Sequence, residues 1–288
     1  MSTVTVGPAR VLDGPIPVPP RYSLLVNATI YEDLDYHWMA GGAVYPYPTL
    51  SDDPDYNDGG VQAGCATGTE REKIEGGSNL LPEFNAFTVY IAETCTARGI
   101  GNDEDFRNRA VIGLNGLEAA LVEREFAEGA AVGATGSPYL ADVSLPNYQS
   151  LGTLKAMEAL ARLENEIAET GKMGMIHADP ATATAWASQY LIEKEGAYMR
   201  AVATGTPIVV GYGYVGARPD GQGAPAATSS WAWATGPVQI RRSNVEMVPG
   251  SLAEALDRQH NVVTYRAERY YLVDWDTELQ AAVLVDRT

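Results

Sequence analysis

The sequence predicts an α+β fold on three observations: a helix-length amphipathic segment over residues 102–128, a Gly- and Asp-rich excursion before it, and a compact run of helix and strand patterns after it. Two strand-like stretches, 262–274 and 279–285, close the chain.

The first 22 residues carry Pro8, Pro15, Pro17, Pro19 and Pro20 with almost no apolar periodicity, which predicts an extended arm lying across something else. Residues 38–48 are strand-like and aromatic, but TLSDDPDYNDGG (49–60) abandons any core pattern. From Phe84 to Thr94 a strand returns, with Phe87, Val89 and Ile91 alternating against Thr88 and Tyr90. The intervening excursion of roughly 35 residues is expected to contact a neighbour, because structureless loops of that length in a compact domain are usually functional.

The helix over 102–128 is marked at both ends. Asn102 suits the N-cap, and Asp103, Glu104 and Asp105 place negative charge on the first turn, where free amides and the helix dipole favour it. Phe106, Ala110, Leu114, Leu117 and Leu121 make the expected apolar stripe, with Arg107, Arg109, Glu118 and Glu125 off it. Gly129 stops the helix, whose length is then roughly 40 Å. Gly113 and Gly116 weaken it by about 1 kcal/mol each, which predicts something packed closely against them.

A connecting segment over 136–149 leads to a second helix, expected from Thr153 to Gly171 with Leu154, Met157, Leu160, Ala161, Ile167 and Ala168 as its stripe. A short strand over 173–177 precedes a third helix over 180–195, with Asp179 as N-cap and Pro180 at the first helical position. Residues 207–214 and 231–240 read as strands joined by the polar loop ARPDGQGAPAATSS (217–230). A short helix is expected over 252–259, and 262–274 with 279–285 as a closing strand pair.

Composition narrows the function. The 288 residues suffice for one large or two ordinary domains, and 45% apolar with 20% charged residues is a globular balance. A formal net charge of −17, from 20 basic against 37 acidic residues, argues against a nucleic-acid partner gripped through its phosphates. Cys65 and Cys95, with no signal-type segment near Met1, are expected as free thiols in a reducing compartment. No apolar run approaches the ~18 residues of a membrane span.

No motif supplies an active site. Gly211, Gly213 and Gly216 match the spacing of a dinucleotide-binding loop, but Arg218, Pro219, Asp220 and Gly221 follow where that loop needs a helix, so a glycine-rich β-hairpin is expected instead. Asp53, Asp55 and Asn57 have the alternate spacing of calcium ligands, yet Asp58 replaces the required Gly and Gly64 the bidentate Glu, which leaves a solvated acidic loop. Asp274 and Asp276 flank Trp275 and are expected as a solvated strand end. His37, His177 and His260 have no ligand at metal spacing, and His177 is expected to be hydrogen-bonded at a strand end. Neither a nucleophile elbow nor an activated thiol is visible, so no catalytic residue, cofactor or metal is expected.

In this order the pieces resemble the major capsid proteins of tailed bacteriophages, the Hong Kong 97 fold shared with encapsulin shells. PPRYSLLVNATIYEDLDYHW (19–38) looks like the family's N-terminal arm, residues 40–92 like its extended loop, and residues 102–128, ending in EREFAEG, like its spine helix. LENEIAETGKMGMIHADPATATAW (163–186) and TGTPIVVGYGY (204–214) are similar to its axial domain, and VVTYRAERYYLVDWDTELQAAVLVD (262–286) to its return strand.

The resemblance implies an arm over 1–37, an extended loop over 38–98, a peripheral domain with the spine helix over 99–150, an axial domain over 151–245 and a return to the peripheral domain over 246–288. It implies a structural virion protein, not an enzyme. Copies would assemble as pentamers and hexamers, in the cytoplasm of a bacterial host, into an icosahedral head shell enclosing double-stranded phage DNA. Scaffold, portal and decoration proteins would be further partners, DNA would be touched only weakly, and no membrane is involved. An encapsulin-like compartment shell and an accessory or decoration virion protein are the alternatives. No long scaffolding segment precedes the arm, which implies a separate scaffold or none. Lys73 lies where some relatives crosslink covalently, but no partner Asn or Glu can be matched to it.

A subunit copied around a closed lattice gains from every small contact, because each is repeated at each copy. Glu70, Arg71, Lys73 and Glu75 in TEREKIE (69–75) therefore read either as intersubunit charge pairs or as a solvated loop face, and Arg107 and Arg109 as helix cations meeting a neighbour's acids.

Overall fold

The computed structural model describes residues 16–32, 36–44, 83–96 and 103–288. In chain order these form α1 (Leu24–Asn27), β1 (Thr29–Glu32), α2 (Tyr36–Gly41), β2 (Phe87–Thr96), α3 (Asp103–Glu128), β3 (Tyr148–Lys155), α4 (Ala156–Glu169), β4 (Met175–Ala178) and α5 (Pro180–Ser188). They continue with β5 (Ile192–Glu195), β6 (Tyr198–Ala201), β7 (Ile208–Val210), β8 (Ser229–Thr235), β9 (Val238–Arg242), β10 (Glu246–Val248), α6 (Leu252–Ala255), β11 (Leu256–Asp257), β12 (Val262–Trp275) and β13 (Gln280–Asp286). The cap Asn102, the loop residues Asp53, Asp55 and Asn57, Cys65, and Glu70, Arg71, Lys73 and Glu75 lie outside the described residues.

The helix α3 runs where its caps and periodicity predict, but its buried line differs from the expected stripe. Phe106, Ala110, Leu114, Glu118, Val122 and Phe126 step by four and are buried, whereas Leu117 is half exposed. A row stepping by four advances about 40° per step, so the buried face turns around the helix along its length. It faces β2 and β12 and later the loop after β7. The two helix-weakening glycines admit close neighbours as predicted. A Cβ on Gly113 would stand 3.2 Å from Ile91, and one on Gly116 would stand 2.4 Å from Pro17 of the N-terminal segment. Gly129, at φ +61°, ends the helix, and Glu125 accepts hydrogen bonds from the amides of Ala131 and Val132 just beyond it.

Two sheets flank this helix and the segments around it. In the first, β12 is the centre: β2 runs antiparallel along one edge, from Val262 opposite Thr96 to Tyr271 opposite Phe87, while β9, β10 and β11 share the other edge, all antiparallel. Strand β1 adds to β9 in parallel. Phe87 and Val89 face the core as the alternation predicts, and Tyr90 faces out. The second sheet has the order β3-β13-β8-β4-β7, with β3 and β7 parallel to their neighbours. Buried Ala159, Leu160, Leu163 and Ile167 of α4 and Trp186 of α5 cover it. A separate antiparallel hairpin, β5–β6, follows α5.

Several expected elements are redrawn. Residues 38–43 open as the short helix α2, not a strand; Gly42 at φ +68° ends it, and Ala43 then pairs with Phe84. Thr153 belongs to strand β3, which parallels β13, so the second helix begins at Ala156 and its buried stripe is one phase away from that expected, leaving Met157 exposed. The third helix stops at Ser188 because Tyr190 takes φ +58° and the Leu191 amide turns back to the Trp186 carbonyl, after which Ile192 starts a hairpin. Only Ile208–Val210 of the expected strand 207–214 is extended, and the glycines after it form a turn, not a hairpin.

The expected strand 231–240 is two strands in two sheets, broken at Gly236-Pro237. The closing pair does not pair: β12 belongs to the first sheet and β13 to the second. Residues 151–245 and 246–288 thus each feed both sheets, through β9 and β13 respectively. The reason is visible at the crossing, where a Cβ on Gly236 would lie 2.6 Å from Cβ of Asp276; the two chains pass side by side between sheets, which only a glycine permits.

The N-cap of α5 carries the first quantitative expectation. The Asp179 carboxylate accepts from the Thr182 amide at 2.8 Å and from the Ser230 hydroxyl at 3.0 Å, and it is buried. Asp179→Ala is expected to cost about 1–2 kcal/mol in denaturant unfolding, with Asp179→Asn retaining most of the cap. An unchanged midpoint for the alanine variant would remove the cap's role.

Candidate functional site

Among the described residues, buried polar side chains gather at junctions between segments. The first junction is on α3. Glu123 is fully buried, and its Oε1 accepts from the Leu24 amide at 2.9 Å while Oε2 accepts from the Gly213 amide at 3.0 Å. The turn reaches this carboxylate because Gly213 lacks a side chain: a Cβ there would stand 2.4 Å from the Arg124 nitrogen and 2.5 Å from the Ala120 carbonyl oxygen. Burial raises the Glu123 pKa to about 6, against the opposing pull of the backbone amides of Gly213, Leu24 and Tyr212.

The N-terminal segment holds to the same region. Pro17 lies over Gly116, the Arg21 guanidinium donates to the Gly196 carbonyl in the β5–β6 turn, and the Tyr22 carbonyl accepts from the Val210 amide. One strap, residues 16–27, therefore touches the long helix, the second sheet and the hairpin.

Behind Glu123 sits the histidine. The His177 ring is wholly buried, with Nδ1 3.1 Å from the Tyr214 hydroxyl and Nε2 2.9 Å from the Thr235 hydroxyl. Burial lowers its pKa to about 3 and pushes that of Tyr214 well up. Both ring nitrogens are engaged and no solvent reaches them, so the residue packs the core and hydrogen-bonds at a strand end as expected. Its ring belongs to an edge-to-face series, Phe84–Trp275–Phe126–His177–Tyr214, with adjacent centroids 5.0 to 5.6 Å apart.

Two ionic clusters pin the sheets. Glu118, expected off the buried stripe, instead accepts from the Tyr271 hydroxyl at 2.7 Å and from Arg269 at 2.9 Å, tying α3 to β12. Asp274 and Asp276, expected in solvent, are both buried. Asp276 pairs with Lys172 at 3.0 Å, and Glu278 joins the same ammonium. Asp276 serves the crossing between sheets, which is why it is not a solvated end. No group of three His, Cys, Asp or Glu among the described residues could hold a metal ion, and no helix among them is long and apolar enough to cross a membrane.

Of the residues read as subunit contacts, two are in view and they diverge. Arg107 donates from Nη2 to the Gly250 carbonyl at 2.7 Å and lies 4.8 Å over the Tyr265 ring, so one of its nitrogens is engaged within the chain. Arg109 is exposed, stacked 4.2 Å over Phe106. The surface also shows large apolar side chains that periodicity did not single out: Val18 is 83% and Tyr190 87% exposed, and Ile16, Met173, Tyr212 and Val215 are exposed as well. Several stand on the strap and the turn that grip α3. Scattered apolar residues are ordinary, but protrusions of this size on connecting segments are what a covering neighbour would use.

No protein-family model matches the sequence, and no curated protein is significantly similar to it. Solved structures are similar over nearly the whole chain. With the holo-SrpI encapsulin complex from Synechococcus elongatus PCC 7942 the TM-score is 0.57 at 10% identity, covering 98% of this chain and 92% of that one. With a chain of Gordonia phage Cozz it is 0.55 at 11% identity, covering 99% and 91%. With the capsid of an empty GTA particle it is 0.52 at 14% identity, covering 98% and 94%. The chain thus has the α+β fold of the Hong Kong 97 type, as its order of elements led us to expect.

Proposed function

We propose that this protein is a major capsid protein, a structural subunit that assembles with copies of itself, as pentamers and hexamers, into an icosahedral shell enclosing double-stranded phage DNA. The observation that carries this is the match of nearly the whole chain to phage, GTA-particle and encapsulin structures. His177, Glu123 and Asp276 are all buried and engaged within the fold, where they hold its segments together.

In this reading residues 1–37 are the arm, 38–98 the extended loop, 99–150 the peripheral domain built on α3, 151–245 the axial domain and 246–288 the return. The six-stranded sheet is peripheral and the five-stranded sheet axial, so β13 crosses into the axial sheet. Glu70, Arg71, Lys73, Glu75, Arg107 and Arg109 are proposed at subunit contacts, with scaffold, portal and decoration proteins as outside partners. The shell would assemble in the bacterial host cytoplasm, and the acidic balance would keep packaged DNA weakly held. The encapsulin likeness favours one second reading, a compartment shell around a protein cargo.

Size-exclusion chromatography and electron microscopy of the expressed protein test this. Closed particles of many copies are expected; a monodisperse monomer at high concentration overturns the proposal. Particles recovered with DNA favour the capsid, and particles holding a protein cargo the compartment. Arg109→Glu is expected to lower particle yield several-fold while shifting subunit stability by no more than about 0.5 kcal/mol, as for other exposed positions. Unchanged yield would remove Arg109 from the contacts.

A further inference from the structure

We propose that Glu123 is a proton-operated latch: proton uptake at its buried carboxylate tightens, and proton loss loosens, the docking of residues 22–27 and of the 211–214 turn on α3. The geometry makes one carboxyl group the shared anchor of two segments that are distant in sequence. Oε1 takes the amide of Leu24 and Oε2 that of Gly213, and the group is fully buried with no ion pair among the described residues. Ser23 and Leu24 are buried beside it, so water reaches the carboxyl only if the strap or the turn lifts.

The titratable and charged groups around Glu123 come from the turn, from β4, from the strap and from α3 itself. From the turn comes Tyr214, neutral because burial holds its hydroxyl far above the ordinary value, and behind it from β4 comes His177, whose pKa of about 3 keeps it neutral as well. The strap brings Arg21, whose guanidinium is turned to the Gly196 carbonyl, and Tyr22, whose carbonyl holds Val210. On α3 itself, Arg124 is exposed and Glu125 is spent on the amides after the helix end.

Two effects oppose each other at the carboxyl. The amides favour the anion, burial favours the acid, and burial is the larger, which is why the docked group titrates at about 6 and not 4.5. The sign follows from linkage. A carboxyl whose pKa is raised by docking binds its proton more tightly when docked, so its favourable contribution is complete below 4.5 and is lost as pH rises through 6. A shift from 4.5 to about 6 corresponds to a docking constant about 30-fold larger at the acid end. The latch acts within one chain and stands apart from the shell reading.

Hydrogen exchange read by mass spectrometry on the protein as purified, between pH 4 and 7.5 and corrected for intrinsic exchange, tests the latch. Peptides spanning 22–27 and 211–217 are expected to gain up to about 30-fold protection on acidification, rising between the docked value of about 6 and the ordinary 4.5 with half of the logarithmic change at about 5, while peptides from α5 stay flat. In Glu123→Gln, which cannot titrate, the two peptides are expected to lose this slope. Should that variant fail to fold, the wild-type midpoint still decides: a value at or below 4.5, or protection that falls on acidification, overturns the latch, as does a slope that survives in Glu123→Gln.

Discussion

Gly213→Ala is expected to lower stability by roughly 3 kcal/mol and to free the turn after β7 from the long helix, because an added Cβ meets backbone instead of a side chain that could swing away. The new atom would fall 2.4 Å from the Arg124 nitrogen and 2.5 Å from the Ala120 carbonyl oxygen, and neither can move without distorting a helix held at both ends. The turn must therefore lift, which breaks the Gly213 amide bond to Glu123 and leaves a buried carboxylate short of a donor. Thermal unfolding checks this against Gly223→Ala, where nothing lies within 4 Å of the added Cβ and little change is expected. Equal melting temperatures for the two variants would show that the turn does not bear on α3.

Trp275→Ala is the second large effect, with an expected loss of about 3–5 kcal/mol. The indole is 2% exposed and meets Phe84 at 5.2 Å and Phe126 at 5.0 Å, so one truncation opens contacts from the segment before β2, from α3 and from the end of β12 together. The site cannot collapse to fill the space, since its neighbours are fixed by strand pairing and by the helix. Denaturant unfolding should show a lower midpoint with an unchanged slope. A cost under about 1 kcal/mol would mean that the aromatic series does not hold the segment before β2, α3 and β12 together.

Both sites show where the sequence was legible and where it was not. The long helix could be read to within a residue because its signals are local: acids at one end, Gly129 at the other, and a periodic apolar line between. Asp179 and Pro180 announced the start of α5 for the same reason. Gly113 and Gly116 could be read as weak points needing neighbours, although Pro17 could not be named as one of them. The failures are non-local. Glu118 and Asp276 look like solvent-facing acids until Arg269 and Lys172 arrive from more than a hundred residues away. Gly211 and Gly213 imitate a nucleotide loop because close backbone approach needs glycine whether the neighbour is a phosphate or a helix. The split of β8 from β9 was marked by Gly236-Pro237, a signal strong enough to be found in the sequence.

The paired chain passages at Gly236-Pro237 and Asp276 have a mechanical consequence. Because β8 runs into β9 and β12 runs toward β13 at the same level, a pull on one sheet is shared there by two covalent tethers, beside the connection from β2 to β3 through α3, and the two are closed laterally by the Asp276 amide on the Pro237 carbonyl and by Lys172. A protease that severs either tether alone would leave the sheets joined through the other, so this crossing resists being twisted or torn apart as a single linker could not.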